Sequence, residues 1–142
     1  MSVKVYNTSP LPFMGQKRNF VKLFREALQE FPTATTFVDL FGGSGLLSHV
    51  VKRQRPDARV IYNDFDDFHL RIENVDRTND IIAEIRTILD GEPRMKKIPE
   101  PKRQAIIELL KRHEQTGFVD YVTVSSSILF SGNYATNIRE VE

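Results

Sequence analysis

The stretch FVDLFGGSGLLSHV, residues 37–50, decides the fold, because an apolar strand passes through three glycines into an apolar helix. Glycine permits a positive φ angle, and its missing side chain lets a ligand lie against the main chain. The unpaired N–H groups of the first helical turn would face that ligand. The glycines alone leave an ordinary strand–helix turn open as the alternative to a binding site.

A second strand and an acidic residue follow at a spacing that favours the binding interpretation. The second apolar strand, RVIY at 59–62, is followed by Asn63 and Asp64. Asp64 comes nineteen residues after Gly45, close to the spacing of about 20 found in nucleotide-binding βαβ units. A carboxylate at this point can accept two hydrogen bonds from ribose hydroxyls. The combination therefore predicts a nucleotide site with Asp64 on the sugar.

The pattern around the glycines narrows the choice of nucleotide. The dinucleotide pattern G-x-G-x-x-G is not met, because Ser48 stands where its third glycine is required. The chain has no Gly-Lys pair for a P-loop and no G-x-S-x-G nucleophile elbow. An acid at the end of the strand suits a ligand that carries a cation. S-adenosylmethionine, which has an ammonium and a sulfonium group, therefore fits better than NAD or ATP. The remaining pattern consists of Asp39, Phe41, Gly43 and Gly45.

The rest of the chain is predicted to be mostly helical. Hydrophobic periodicity predicts helices at 16–31, 46–54, 67–76, 78–89 and 102–114. In the first of these, the predicted apolar face consists of Phe20, Phe24, Ala27, Leu28 and Phe31. The strands in TTFVDLF and RVIY are predicted to be buried. Residues 118–130 are compatible with strand or helix, and residues 131–142 are predicted to form an exposed loop.

Composition indicates a globular domain and limits the possible functions. The 142 residues are 40% hydrophobic and 27% charged, without cysteine, which fits one domain and is compatible with the cytoplasm. No transmembrane segment or signal peptide is predicted, and the three scattered histidines predict no metal site. The charge balance is −6 over residues 64–92 and +5 over residues 93–113. The basic segment can face a polyanion, although a solvated helix surface is the alternative.

Three stretches, taken in order, resemble the Dam-like family of DNA adenine-N6 methyltransferases. PLPFMGQKRNF, residues 10–20, is similar to the N-terminal signature W-x-G-G-K of that family. Phe13 stands at the aromatic position, Gly15 at the first glycine and Lys17 at the lysine, while Gln16 replaces the second glycine. FVDLFGGSG is similar to the cofactor loop of the family, and IYNDFD is similar to its acid after the second strand.

The resemblance implies S-adenosylmethionine as cofactor and assigns roles to particular residues. Phe13 would pack near the adenosyl moiety, Lys17 would reach the methionine carboxylate, and Asp39 would lie near the amino group. Gly43 and Gly45 would admit the cofactor to the backbone. Taken singly, the aromatic residues could belong to the core, and the lysine could lie on the surface. The cofactor-binding residues implied in this way are Phe13, Gly15, Lys17, Asp39, Phe41, Gly43, Gly45 and Asp64.

The resemblance covers only the N-terminal part of the family. The catalytic signature Asp-Pro-Pro-Tyr has no match, because the chain contains no Pro-Pro pair, so no catalytic residue is assigned. Residues 1–92 would form the cofactor-binding part, and residues 93–142 would form the helical start of the target-recognition region. A frayed terminus is the alternative for the residues that would contact DNA, which are Asn133, Tyr134, Asn137 and Arg139.

The expected fold is α/β, a partial Rossmann-like methyltransferase fold with parallel strands, flanking helices and a helical segment leading into a DNA-recognition region. The expected function is that of the N-terminal portion of a DNA adenine-N6 methyltransferase, inactive by itself. Its partners would be double-stranded DNA and either the rest of the domain or a second copy, with no membrane. The alternatives are a non-enzymatic assembly or regulatory module, and a methyltransferase acting on a small molecule or a protein.

Overall fold

The polypeptide divides into two units, Met1–His69 and Leu70–Glu142, in the computed structural model. The structure describes residues 7–15, 17–93, 96–128 and 134–141. Each unit has its own cluster of buried apolar side chains. This division falls earlier in the chain than the functional boundary placed at residues 92 and 93 from the sequence, and the assignment of a recognition region remains a prediction.

The first unit contains the strand–turn–helix–strand arrangement expected from its sequence. A 3-10 turn at Lys17–Phe20 precedes the first helix, and the strands β1 and β2 flank the second. β-branched and aromatic residues fill both strands, as a pleated and half-covered surface favours. The elements are α1 (Val21–Gln29), β1 (Thr36–Asp39), α2 (Leu46–Gln54), β2 (Arg59–Tyr62) and the beginning of α3 (Phe68–Glu73).

The two strands form a parallel pair, with Phe37 opposite Val60 and Val38 opposite Ile61. Two parallel strands need a crossover connection, which α2 provides here. The expected α/β architecture, with parallel strands and flanking helices, is therefore confirmed. The core of the unit comprises Val21, Leu28, Leu46, Val50, Val51 and Ala58, with Phe24, Phe37, Leu47 and Val60 packed against it.

The prediction that both strands are buried was wrong for one face of the sheet. Exposure alternates along each strand, so that Phe37 and Val60 point toward the helices while Val38 and Ile61 point outward. Val38 is 57% exposed, and Leu40, just beyond the strand, is 62% exposed. A side-chain period of two places alternate residues on opposite faces, and helices cover only one of these faces in the described part of the unit.

The first helix is shorter than predicted, and its buried face is different. Residues 17–20 form a 3-10 turn, and α1 begins at Val21. Phe20 and Phe31 lie outside α1 and are about three-fifths exposed, whereas Val21 and Leu28 are buried. The predicted stripe therefore included two exposed aromatic residues and omitted Val21. The 3-10 segment changes the angular position of Phe20 relative to α1, and Phe31 lies beyond the last turn of the helix.

The second unit is helical. It comprises α4 (Val75–Ile88), α5 (Glu100–Thr116), α6 (Tyr121–Ile128) and a 3-10 turn at Ile138–Glu140. Apolar residues spaced three and four apart on α4 and α5 supply most of its core. That core comprises Ile81, Ile82, Ile85, Ile106, Leu109, Leu110, Val119, Tyr121 and Val124. No helix among the described residues has both the length and the apolar character required to cross a bilayer.

The segment that was compatible with strand or helix forms α6 because Asp120 caps it. The Asp120 carboxylate accepts a hydrogen bond from the Thr123 N–H at 3.0 Å and pairs with Arg71 Nε at 2.9 Å. Both partners of this ion pair are buried. The predicted exposed loop at the C-terminal end was also partly wrong, because Ala135 is buried and donates its N–H to Ser125 Oγ at 3.0 Å.

Candidate functional site

The glycine turn between β1 and α2 has the backbone conformation that requires glycine. Gly43 and Gly45 have φ angles of +50° and +71°, in the left-handed region where other residues are strained. The Gly45 N–H donates to the Gly42 carbonyl at 2.9 Å, which closes the turn, and the Gly45 carbonyl accepts the His49 N–H at 2.9 Å. The turn therefore delivers the chain from the carboxyl end of β1 directly into the first turn of α2.

Two of the three glycines are covered by aromatic side chains of the protein. A Cβ atom at Gly42 would lie 2.1 Å from Tyr62 Cε2, and one at Gly43 would lie 3.0 Å from the ring of Phe13. A Cβ at Gly45 would meet only Tyr62, at 3.8 Å. The absence of side chains at Gly42 and Gly43 thus accommodates Tyr62 and Phe13, and Gly45 is the glycine with open space beside it.

Phe13 and Lys17 of the N-terminal segment lie against the glycine turn. The Lys17 ammonium donates a hydrogen bond to the Phe41 carbonyl. Phe13 contacts the Gly43 position and packs edge-to-face on Phe68, with ring centroids 5.6 Å apart. Phe13 and Lys17, which are distant from the turn in sequence, are therefore next to it in the structure.

Gly15 and Phe41, the other predicted cofactor-binding residues of the N-terminal segment and the turn, have open space around them. Gly15 has a φ of +72° and no atom within 4 Å of its Cβ position, so its conformation rather than its packing requires glycine. The Phe41 side chain is 79% exposed, which leaves its ring available to contact a ligand. Neither residue contributes to the core of the unit.

The acid at the end of β1 is held by the helix that follows the turn. Ser48 Oγ donates to Asp39 Oδ2 at 2.7 Å, and Asp39 is half-buried. The second oxygen of the carboxylate remains capable of accepting a hydrogen bond. Ser48, the residue that breaks the dinucleotide pattern, thus has a role of its own in orienting Asp39.

Asp64 lies between β2 and α3 and accepts hydrogen bonds through both carboxylate oxygens. Oδ1 accepts the Phe68 N–H at 2.8 Å and lies 3.1 Å from the Tyr62 hydroxyl. Oδ2 accepts the His69 N–H at 2.9 Å and lies 2.5 Å from His69 Nδ1. Burial acts to raise the pKa of Asp64, but the hydrogen bonds from His69, Phe68 and Tyr62 outweigh it and hold that pKa below its usual value.

Tyr62 is the residue of this site that sequence reasoning missed. It is the last residue of β2, opposite Asp39 in the register, and its hydroxyl donates to the Gly43 carbonyl at 2.5 Å. The alternation in RVIY was a usable signal, because it places Val60 and Tyr62 on the same, helix-facing side of the strand. Phe68 and His69 were missed although a helix was predicted from residue 67, because nothing in the sequence indicated that the first N–H groups of this helix bond to Asp64.

The predicted DNA contacts lie in the second unit, except that Asn133 falls outside the described residues. Tyr134 is half-buried, Asn137 donates to Thr136 Oγ1 at 3.2 Å, and Arg139 is exposed. The Glu140 carboxylate accepts the Thr136 N–H at 2.7 Å. That bond is the main cause that lowers the pKa of Glu140. Thr136, Asn137 and Glu140 thus form a hydrogen-bonded turn, and the contact of Asn133, Tyr134, Asn137 and Arg139 with DNA remains a prediction.

Part of the positive charge of residues 93–113 is neutralised within the second unit. Lys102 pairs with Glu92 at 3.0 Å, and Arg103 pairs with Glu100 at 3.1 Å. Lys97 and Arg112 are exposed. Within the described ranges, no group of three or more histidine, aspartate or glutamate side chains is placed to hold a metal ion.

A parallel strand pair joined through a glycine turn and a helix, with an acid after the second strand, has the arrangement of a partial methyltransferase fold. Comparison with known sequences agrees. The D12 class N6 adenine-specific DNA methyltransferase family matches residues 13–115. The chain belongs to this family.

A relative among curated sequences matches nearly all of the chain. It is a Haemophilus influenzae protein named "Putative methyltransferase", 36% identical over 141 residues. The match includes 96% of this chain but 47% of the relative, so the chain spans about half the length of the relative. No solved structure matches the chain.

Proposed function

We propose that this chain is the cofactor-binding portion of a DNA adenine-N6 methyltransferase that takes its methyl group from S-adenosylmethionine. The observation that carries the proposal is the convergence of Phe13 and Lys17 on the glycine turn, with Asp64 following the neighbouring strand. Family membership supports the reaction class, and the three converging elements supply the types of group that the cofactor requires.

The side chains at the turn fit S-adenosylmethionine by their chemistry. An exposed Phe41 ring and the Phe13 ring offer apolar surface for adenine. Lys17 has three donors, so it can bond both the Phe41 carbonyl and a methionine carboxylate. Asp39 supplies negative charge for the ammonium group, and Asp64 supplies acceptors for the ribose. When bound, the cofactor supplies an electrophilic methyl group; the residues named here bind and orient it.

DNA is the proposed substrate, and the chain by itself is proposed to be inactive. The sequence contains no Asp-Pro-Pro-Tyr motif to accept hydrogen bonds from the target amino group. Asn133, Tyr134, Asn137 and Arg139 are proposed as contacts to double-stranded DNA. Incubation with labelled S-adenosylmethionine and duplex DNA is expected to leave the DNA unlabelled, and transfer of label to adenine would contradict this part of the proposal.

Calorimetric titration tests the cofactor site directly. The wild-type chain is expected to bind S-adenosylmethionine with measurable heat. Asp64→Asn should weaken binding about ten-fold or more, because a hydrogen bond to a charged group is worth about 1.5–3 kcal/mol. The matched control is Asp66→Asn, an exposed acid two residues further on, which should bind as the wild type does. Absence of binding by a folded wild-type chain would overturn the proposal.

A second candidate function, an assembly module, is favoured by the uncovered face of the sheet. Val38 and Ile61 sit opposite each other on that face and are 57% and 42% exposed. Both faces of parallel sheets are normally covered, and contiguous exposed apolar surface marks interaction sites. The occupant proposed is the remainder of a methyltransferase domain, with self-association of this chain as the competing outcome.

Sedimentation and capture experiments decide between those two occupants. Ile61→Lys should abolish capture of the unmatched part of the Haemophilus relative, whereas Ile72→Lys should not. Ile72 is the matched control because it is also 42% exposed but lies on α3. A concentration-dependent dimer of the chain alone, broken by Ile61→Lys, would instead establish self-association.

A further inference from the structure

Tyr62 connects the two parts of the candidate cofactor site. Its ring occupies the space beside Gly42, where a Cβ would come within 2.4 Å of two ring carbons. Its hydroxyl reaches the Gly43 carbonyl at 2.5 Å and Asp64 Oδ1 at 3.1 Å. One side chain therefore touches the glycine turn at two successive residues and the proposed ribose-binding carboxylate.

The Tyr62 hydroxyl lies within hydrogen-bond distance of two acceptors, the Gly43 carbonyl and Asp64 Oδ1. A tyrosine hydroxyl has one proton, so it can donate to either of them. Asp64 Oδ1 also accepts the Phe68 N–H at 2.8 Å. The hydroxyl therefore holds the Asp64 carboxylate and the glycine turn in register with each other.

The protonation state of Tyr62 suits a permanent donor. Burial, followed by the hydrogen bond and charge of Asp64, raises the pKa of the Tyr62 hydroxyl. The hydroxyl therefore keeps its proton at neutral pH and remains a donor to the Gly43 carbonyl. A phenylalanine would fill the same space beside Gly42 but would leave that carbonyl without this donor.

We propose that Tyr62 is a positioning residue for cofactor binding, which fixes the Gly42–Gly43 turn and holds the Asp64 carboxylate in register with it for the ribose. This inference rests on the proposed function, because it assigns Asp64 a ribose to bind. It goes further in giving a role to Tyr62, to which the resemblance assigned none, and in separating two roles of its side chain. The ring sets the packing of the turn, and the hydroxyl sets the relative position of turn and carboxylate.

The test compares Tyr62→Phe with the wild type using two probes, S-adenosylhomocysteine and its 2′,3′-dideoxy analogue. The ratio of their affinities reports the ribose contact alone. In the wild type that ratio should be about ten or more, and in Tyr62→Phe it should fall about three-fold or further, because Asp64 is no longer held in register. The control Tyr121→Phe changes a buried tyrosine of the second unit and should leave the ratio unchanged.

Each outcome either supports or overturns the inference. A general loss of structure would weaken both probes equally, so an unchanged ratio in Tyr62→Phe overturns it. Amide exchange at Gly45, whose N–H closes the turn, provides a second measurement that needs no ligand. About ten-fold faster exchange in Tyr62→Phe supports the role of the hydroxyl, and an equal rate overturns it. If the wild type binds neither probe, the proposed function fails, and the exchange rate alone decides the role of Tyr62.

Discussion

Replacing Gly42 by alanine should destabilise the first unit through a collision that can be located atom by atom. The new Cβ would lie 2.1 and 2.4 Å from two carbons of the Tyr62 ring and 2.8 Å from the Asn63 carbonyl oxygen. The ring can turn only by leaving its hydrogen bond to Gly43, and the carbonyl belongs to the backbone. Both the packing around Tyr62 and the position of the chain after β2 must therefore change.

The expected cost follows from two opposing effects. Overpacking costs about 1–3 kcal/mol, and the upper end applies here because a ring and a backbone atom are both in the way. Gly42 does not have a positive φ, so alanine loses nothing by backbone strain and recovers about 0.4–1 kcal/mol by restricting the unfolded chain. The net loss in the free energy of unfolding should be about 2 kcal/mol.

Urea unfolding followed by far-ultraviolet circular dichroism measures this loss, and a second background identifies its cause. In a Tyr62→Leu background the same alanine should cost at least about 1 kcal/mol less, because the ring carbons are gone and only the backbone contact remains. Gly91→Ala is the control for backbone strain without a collision: its φ is +77° and its Cβ position is open. An equal cost of Gly42→Ala in both backgrounds would refute the steric explanation.

Three further predictions concern charged groups. Asp120→Ala should lower the free energy of unfolding in urea by about 3–5 kcal/mol, because the Arg71 guanidinium stays buried without the Asp120 carboxylate beside it. Glu100→Ala removes the acid of an exposed ion pair, at a side chain that is 67% exposed, and should cost below about 0.5 kcal/mol in the same measurement. Asp64 has a lowered folded pKa, so its contribution is present above its unfolded pKa of 3.8 and is lost as the pH falls through the folded value. The stability difference between wild type and Asp64→Asn, measured by urea unfolding at several pH values, should therefore shrink as the pH falls below about 4. Arg55→Lys should cost about 1 kcal/mol, measured by urea unfolding, because the guanidinium bonds the carbonyls of Leu28, Phe31 and Ala34, in the last turn of α1 and the loop after it, and an ammonium cannot reproduce its planar geometry.

The arrangement of the first unit could be predicted because local signals there agree with one another. The β-branched strands, the glycines and the apolar spacing of α2 all indicate the same strand–turn–helix path. Burial of the sheet could not be predicted in the same way. Residues such as Val38 and Ile61 suit a strand covered on both faces, but coverage depends on what packs there and not on the strand itself. Their 57% and 42% exposure is therefore a property of the tertiary structure.

The second unit shows a different limit of sequence reasoning. The segment from residue 118 to residue 130 has the β-branched content of a strand, yet its described part is the helix Tyr121–Ile128. The deciding group is Asp120, whose carboxylate caps the helix and binds Arg71, forty-nine residues earlier. Aspartate before a helix is a local signal that favours a helix start, whereas a contact with a residue so far away leaves none, so the sequence alone did not decide between strand and helix.

The candidate site depends both on local sequence signals and on tertiary contacts. Its residues could therefore be identified only in part from the sequence. Glycine at a strand–helix bend has two possible causes, a ligand that approaches the main chain or a neighbouring side chain that fills the space. At Gly42 and Gly43 the second cause operates, through Tyr62 and Phe13; at Gly45 the space is open. A pattern of glycines does not distinguish these causes, since both need the same missing Cβ. The two aromatic residues that close the bend also line its open side, so under the proposed function they would determine where a nucleoside lies as directly as the glycines do.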